Sequence, residues 1–158
     1  MREETLREET LREETSRILA ASIFLWTAAV PDFKTKRIPV WIPAVAILTA
    51  VEWNLFPSAA VSRPELWTGA VPGALLLMLS LLSGGKIGEG DGICLLACGL
   101  YAGITKTILI VETALVTAAV SGAVLLLTKR RKADDQLPFV PFLAAASTLV
   151  LLCGLCSG

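Results

Sequence analysis

Six apolar segments with almost no charge follow one another after residue 17 of this 158-residue chain. They cover residues 18–30, 40–56, 66–83, 92–104, 107–128 and 139–154. Surface helices of a soluble protein carry a polar face, and these segments lack one. A helix needs roughly 20 apolar residues to cross a bilayer. The pattern therefore predicts an all-α, polytopic membrane protein with about six transmembrane helices.

The composition also indicates a membrane protein, and it limits the catalytic groups that the chain can use. Only 18% of the residues are charged, against about 25% in soluble domains. Histidine is absent, which removes the commonest general base and the commonest zinc ligand. Four cysteines lie in apolar surroundings, where cysteine behaves as a small hydrophobic residue, although the Cys153 and Cys156 spacing also resembles a redox or metal pair. We expect no metal, no cofactor and no nucleic-acid partner.

The first 17 residues differ from the rest, because they repeat the block Arg-Glu-Glu-Thr three times. Glu3, Glu8 and Glu13 each precede an arginine by four residues, a spacing that favours a helix. We interpret residues 1–17 as a charged repeat tail, either a solvated helix or a duplicated extension, ahead of a six-helix domain at 18–158. The acidic start and the lack of a small-residue cleavage site argue against a signal peptide.

Basic residues in the loops predict the orientation in the membrane. Loop 31–39 holds three basic residues, loop 84–91 holds Lys86, and loop 129–138 holds four basic residues. The alternate loops hold only Arg63 and Lys106. Six spans therefore place the three basic loops on the cytoplasmic side of the cell membrane and both termini outside.

Two aspartates at the edges of apolar segments are the candidate functional groups, because ionisable groups at such places are costly. Asp32 follows the first segment and Asp91 precedes the fourth, so the topology brings both to the cytoplasmic side. A pair of neighbouring carboxyl groups shares a proton and can act as acid and base on a peptide bond. The alternatives are a juxtamembrane charge, or a small transporter or channel component that binds cations or relays protons.

Three strings of the chain lie in and beside the basic loops. They are residues 32–41 (DFKTKRIPVW), 88–91 (GEGD) and 137–143 (LPFVPFL). In this order they resemble signatures of the type IV prepilin peptidase and preflagellin peptidase family, the GxGD-type intramembrane aspartyl proteases. The residues that carry the likeness are Asp32, Ile38, Pro39, Gly88, Gly90, Asp91, Pro138, Phe139 and Pro141.

The resemblance implies that Asp32 and Asp91 are the catalytic pair of an aspartic endopeptidase that uses water and no cofactor. It implies cleavage of the basic leader from single-span prepilins or pilin-like precursors at the cytoplasmic membrane face. The chain departs from the family at Ile93, where many members have Lys, and at Val140, where Gly is usual. Nothing corresponds to the N-terminal zinc and methylation region of large members, so the resemblance implies a short, protease-only form. The oligomeric state stays open.

Overall fold

A computed structural model describes residues 2–35, 38–56, 63–83, 88–128 and 138–157. Within these ranges all regular secondary structure is helical, which confirms the predicted all-α class. The helices are α1 (Arg2–Thr35), α2 (Trp41–Leu55), α3 (Arg63–Thr68), α4 (Val71–Leu82), α5 (Glu89–Leu127) and α6 (Val140–Ser157). Most of the basic residues that predict the orientation, at 36, 37, 86 and 129–132, lie outside the described residues.

Two stretches of the described chain are long and apolar enough to cross a membrane, Pro64–Leu82 and Glu89–Leu125. Two further apolar helical stretches, Trp41–Leu55 and Val140–Leu155, are shorter. Many large apolar side chains lie on the outside of the bundle, among them Trp26, Leu48, Leu75, Val116 and Leu152. An exterior of this kind is typical of contact with lipid or another apolar partner. The long apolar helices and the apolar exterior support a membrane protein. The number of six spans stays a prediction.

Helix α5 contains a sharp break at Gly103, whose φ of 75° and ψ of 169° are not helical. Glycine adopts this conformation without the steric cost that a Cβ atom would impose. The sequence predicts a break between residues 104 and 107, at the polar residues Thr105 and Lys106. The structure places it at Gly103 instead, and the Thr107 hydroxyl donates to the Gly103 carbonyl at 2.6 Å. The position of the break is therefore set by the conformational freedom of Gly103 and not by the polar side chains that follow it.

Helix α4 crosses the first half of α5 along a seam of small residues. A Cβ atom on Gly99 would overlap the carbonyl of Gly69, and one on Gly73 would overlap the backbone of Leu96. Further along, a Cβ on Gly92 would lie 2.9 Å from the backbone nitrogen of Leu77. Small residues let two helices approach at backbone distance, and interfaces between membrane helices are enriched in them. The seam fixes the position of α5 and hence of the residues at its start.

Replacing Gly99 with alanine is expected to lower the free energy of unfolding by about 1–3 kcal/mol, the usual cost of overpacking. Gly154 in α6 has open space around its Cα, so Gly154→Ala is the matched control. That control gains helix propensity without a clash and is expected to be neutral or slightly stabilising. Denaturant titration in detergent micelles measures both variants. Equal stability of the two variants would show that the α4–α5 contact is looser than described.

The repeat tail is continuous with the first apolar segment, because α1 runs without interruption from Arg2. Arg17, which the sequence assigns to the solvated tail, is only 2% exposed. Its guanidinium donates to Asn54 Oδ1 at 2.7 Å and to Glu13 Oε1 at 3.0 Å. The guanidinium also lies 5.1 Å from the centroid of the Trp53 ring. We call Glu13, Arg17, Trp53 and Asn54 the Arg17 network.

The Arg17 network joins three helices at the end of the bundle where α2 finishes. The Asn54 amide donates onward to the Leu100 carbonyl of α5 at 3.0 Å, and the Trp53 ring meets Tyr101 edge to face at 6.4 Å. Close by, Lys106 pairs with Glu14 of the tail at 2.6 Å. The last turns of the repeat therefore belong to the folded bundle.

Candidate active site

Asp32 lies near the end of α1, on the face of that helix that packs into the bundle. Leu25 and Ala28 precede it by seven and four residues and are fully buried, so the helical repeat brings Asp32 to the same inward face. Its side chain is 6% exposed. The backbone N–H of Val140 donates to Asp32 Oδ2 at 3.3 Å. A residue that follows the first apolar segment is therefore bound to the start of α6.

Residues 138–143 of the predicted string lead into α6 and form its first turn. Pro138 and Phe139 are half-buried just ahead of the helix, and Pro141 occupies its first turn, where the missing N–H costs nothing. The Phe139 carbonyl accepts the amides of Phe142 at 3.0 Å and of the following leucine at 3.2 Å. These contacts fix the place of the prolines in the fold. Their part in catalysis stays a prediction.

Asp91 lies in the first turn of α5, where its backbone N–H donates to the Gly88 carbonyl at 3.1 Å. A Cβ atom on Gly88 would lie 2.7 Å from Asp91 Oδ2, so glycine at this position leaves room for the carboxylate. A Cβ on Gly90 would lie 2.9 Å from the Cδ1 atom of Ile38. The string at 88–91 therefore packs against Ile38. The neighbouring Pro39 carbonyl accepts the amide of Ile42 in the first turn of α2 at 3.0 Å.

The two aspartates interact electrostatically across the gap between α1 and α5. Cys94, one turn after Asp91, lies within range of both charges. Burial raises the pKa of Asp32, which lies beyond the apolar segment 18–30, and the hydrogen bond from Val140 acts in the opposite direction. Because neighbouring buried carboxylates cannot both ionise easily, the pair is expected to hold one proton. The structure thus brings together the two groups that the sequence singles out.

Metal chemistry has no obvious ligand set in the part of the chain that the structure describes. No cluster of three or more Cys, Asp or Glu side chains is placed to hold an ion there. Cys94 and Cys98 are buried free thiols, and Cys153 is an exposed one. The side chain of Cys156, the other half of the predicted alternative pair, lies outside the described residues.

Sequence reasoning did not find the Val140 amide or the Arg17 network. The Val140 amide is a backbone group, so its role does not depend on the residue type. The sequence indicated only that the string at 137–143 could matter. For the second, the sequence shows the Glu13 and Arg17 spacing. It gives no sign that Asn54, 37 residues further on, is the partner of Arg17.

Fold and site together define a bundle of apolar helices with a pair of carboxyl groups brought together where α1 ends and α5 begins. The family model of the type IV leader peptidase family matches residues 19–153. The chain belongs to this family, as the three strings predict, and is a type IV leader peptidase-like protease. Neither the curated proteins nor the solved structures contain a match to the chain.

Proposed function

We propose that this protein is an intramembrane aspartyl endopeptidase that removes the basic leader from type IV prepilins or pilin-like precursors. The observation that carries the proposal is the pairing of Asp32 with Asp91, which come from two separate strings. Asp32 is buried and Asp91 is half-buried among apolar helices. Membership of a leader peptidase family supports peptide hydrolysis as the reaction. The pair supplies an acid and a base for that reaction without a histidine or an activated serine.

The reaction follows from one shared proton. The ionised aspartate takes a proton from water as the water oxygen bonds to the peptide carbonyl carbon, and the protonated aspartate gives its proton to the carbonyl oxygen. In the second step the C–N bond breaks, and the nitrogen receives the proton that the first aspartate took from water. The second aspartate recovers its proton from one hydroxyl group as the carbonyl re-forms. Both carboxyl groups return to their starting states.

The substrate is proposed to be a single-span protein whose basic leader ends directly before its apolar helix. Both proteins would lie in the same bilayer, which orients the substrate and raises its effective concentration at the site. The site would face the cytoplasm, with both termini outside the cell membrane, since the basic residues at 34, 36, 37, 86 and 129–132 follow the positive-inside rule.

Cleavage in liposomes tests the proposal. The purified chain is reconstituted with a single-span protein that carries a short Lys/Arg leader, and mass spectrometry identifies the new N-terminus. We expect one cut between the leader and the apolar helix. The matched control substrate lacks the leader and is expected to stay whole. An uncut substrate, together with cation or proton flux through the same liposomes, would contradict the proposal and favour the transporter alternative.

A further inference from the structure

The carboxylate of Asp32 takes the place of a helix cap, although it belongs to a different helix. The first turn of α6 has three amides, since Pro141 has none. Two of them donate to the Phe139 carbonyl, and that of Val140 donates to Asp32 Oδ2. A carboxylate that accepts a backbone N–H at a helix N-terminus gains from the hydrogen bond and from the helix dipole. Both favour the ionised carboxyl group over the neutral one.

Asp91 also lies at a helix N-terminus, so the helix dipole alone does not distinguish the two aspartates. The hydrogen bond from the Val140 amide does distinguish them, because it is made to Asp32. An ionised carboxylate accepts a stronger hydrogen bond than a neutral carboxyl group, so the shared proton has its more favourable place on Asp91.

We propose that the Val140 amide is a positioning group that keeps Asp32 ionised, so that Asp32 is the general base and Asp91 the general acid. The assignment rests on the proposed function. Asp32 then takes the proton from the attacking water and later gives it to the departing nitrogen. Asp91 protonates the carbonyl oxygen and later recovers that proton.

Few other titratable groups face Asp32 in the described part of the chain. Helix α5 contributes Asp91 and the Cys94 thiol, which interact with it electrostatically. Helix α6 contains no Asp, Glu, Lys or Arg, and α2 contributes only Glu52, near its far end. Lys34 is exposed in the same turn as Asp32. The low-pH limb of the activity profile is therefore expected to report chiefly on Asp32.

Val140→Pro tests the positioning role, because it removes the amide hydrogen at the first helical position, where proline is tolerated. Losing a hydrogen bond to a charged group raises the pKa of that carboxyl. We therefore expect the low-pH limb of kcat/KM to move up by about one pH unit or more. Val140→Ala keeps the amide and is expected to keep the midpoint of that limb. A Val140→Pro profile that coincides with that of Val140→Ala would contradict the positioning role.

Infrared spectroscopy tests the assignment without any cleavage, so it holds even if the substrate proposal fails or Val140→Pro does not fold. At neutral pH the wild type is expected to show the carbonyl stretch of a buried protonated carboxyl group. Asp91→Asn should lose this band, and Asp32→Asn should keep it. A band that survives in Asp91→Asn and disappears in Asp32→Asn would reverse the roles of the two aspartates.

Discussion

Asp32→Asn and Asp91→Asn are each expected to slow cleavage of a leader-bearing substrate by about 10²- to 10⁴-fold, the usual contribution of one acid or base. Asparagine has nearly the shape of aspartate but can neither take nor hold the proton that the pair exchanges. The measurement is a gel shift of the co-reconstituted substrate over time, at equal amounts of folded protein.

Glu89→Gln is the matched control for these two variants. Glu89 is exposed at the first position of α5, two residues before Asp91, so the change removes a nearby charge without touching the pair. We expect it to cut at close to the wild-type rate. A loss of activity in Glu89→Gln as large as in the other two would mean that general surface charge, rather than the pair, governs cleavage.

Arg17→Met is expected to lower the free energy of unfolding by about 3–5 kcal/mol, since it removes a buried cation from its ion pair and its hydrogen bonds. Glu13 is 9% exposed in its ion pair with Arg17, and Asn54 Oδ1 loses its 2.7 Å donor. The loss also detaches α1 from α2 at the end of the bundle that contains the Arg17 network. Denaturant titration in detergent micelles measures the effect.

Two further variants separate the network from charge in general. Arg12→Met removes an exposed arginine of the same helix and is expected to change the unfolding free energy by less than about 1 kcal/mol. Adding Glu13→Gln to Arg17→Met removes the charge that Arg17 balances and should recover part of the lost stability. Arg17→Met as mild as Arg12→Met would show that Arg17 is hydrated in the protein rather than buried in the network.

The helices and the meeting of the two aspartates could be predicted from the sequence for a simple reason. Long apolar segments separated by short loops alternate in direction, so the ends of the first and third loops must come to the same side. Asp32 and Asp91 lie at those ends, and the structure brings them together. The pairing needs only the order of the segments, without any detail of packing.

Other features depend on backbone conformation or on tertiary contacts, which the order of the segments does not determine. The break in α5 lies at Gly103 because glycine adopts positive φ, while the polar residues after it continue the helix. The burial of Arg17 depends on Asn54, a partner on another helix. The hydrogen bond to Asp32 comes from the backbone amide of Val140, which the residue type at position 140 does not indicate. For Arg17 and Asp32, a tertiary contact overrides what the local residue types indicate.

The rate of a single turnover in four proteins tests most directly whether Asp32 and Asp91 act as one catalytic pair. These are the wild type, Asp32→Asn, Asp91→Asn and the double variant, each reconstituted with the same leader-bearing substrate. Groups that act as a unit lose their function together, so the double variant is predicted to be no slower than the slower single variant. A single variant that cuts at the wild-type rate, or a double variant whose loss is the product of the two single losses, would contradict the paired-aspartate account.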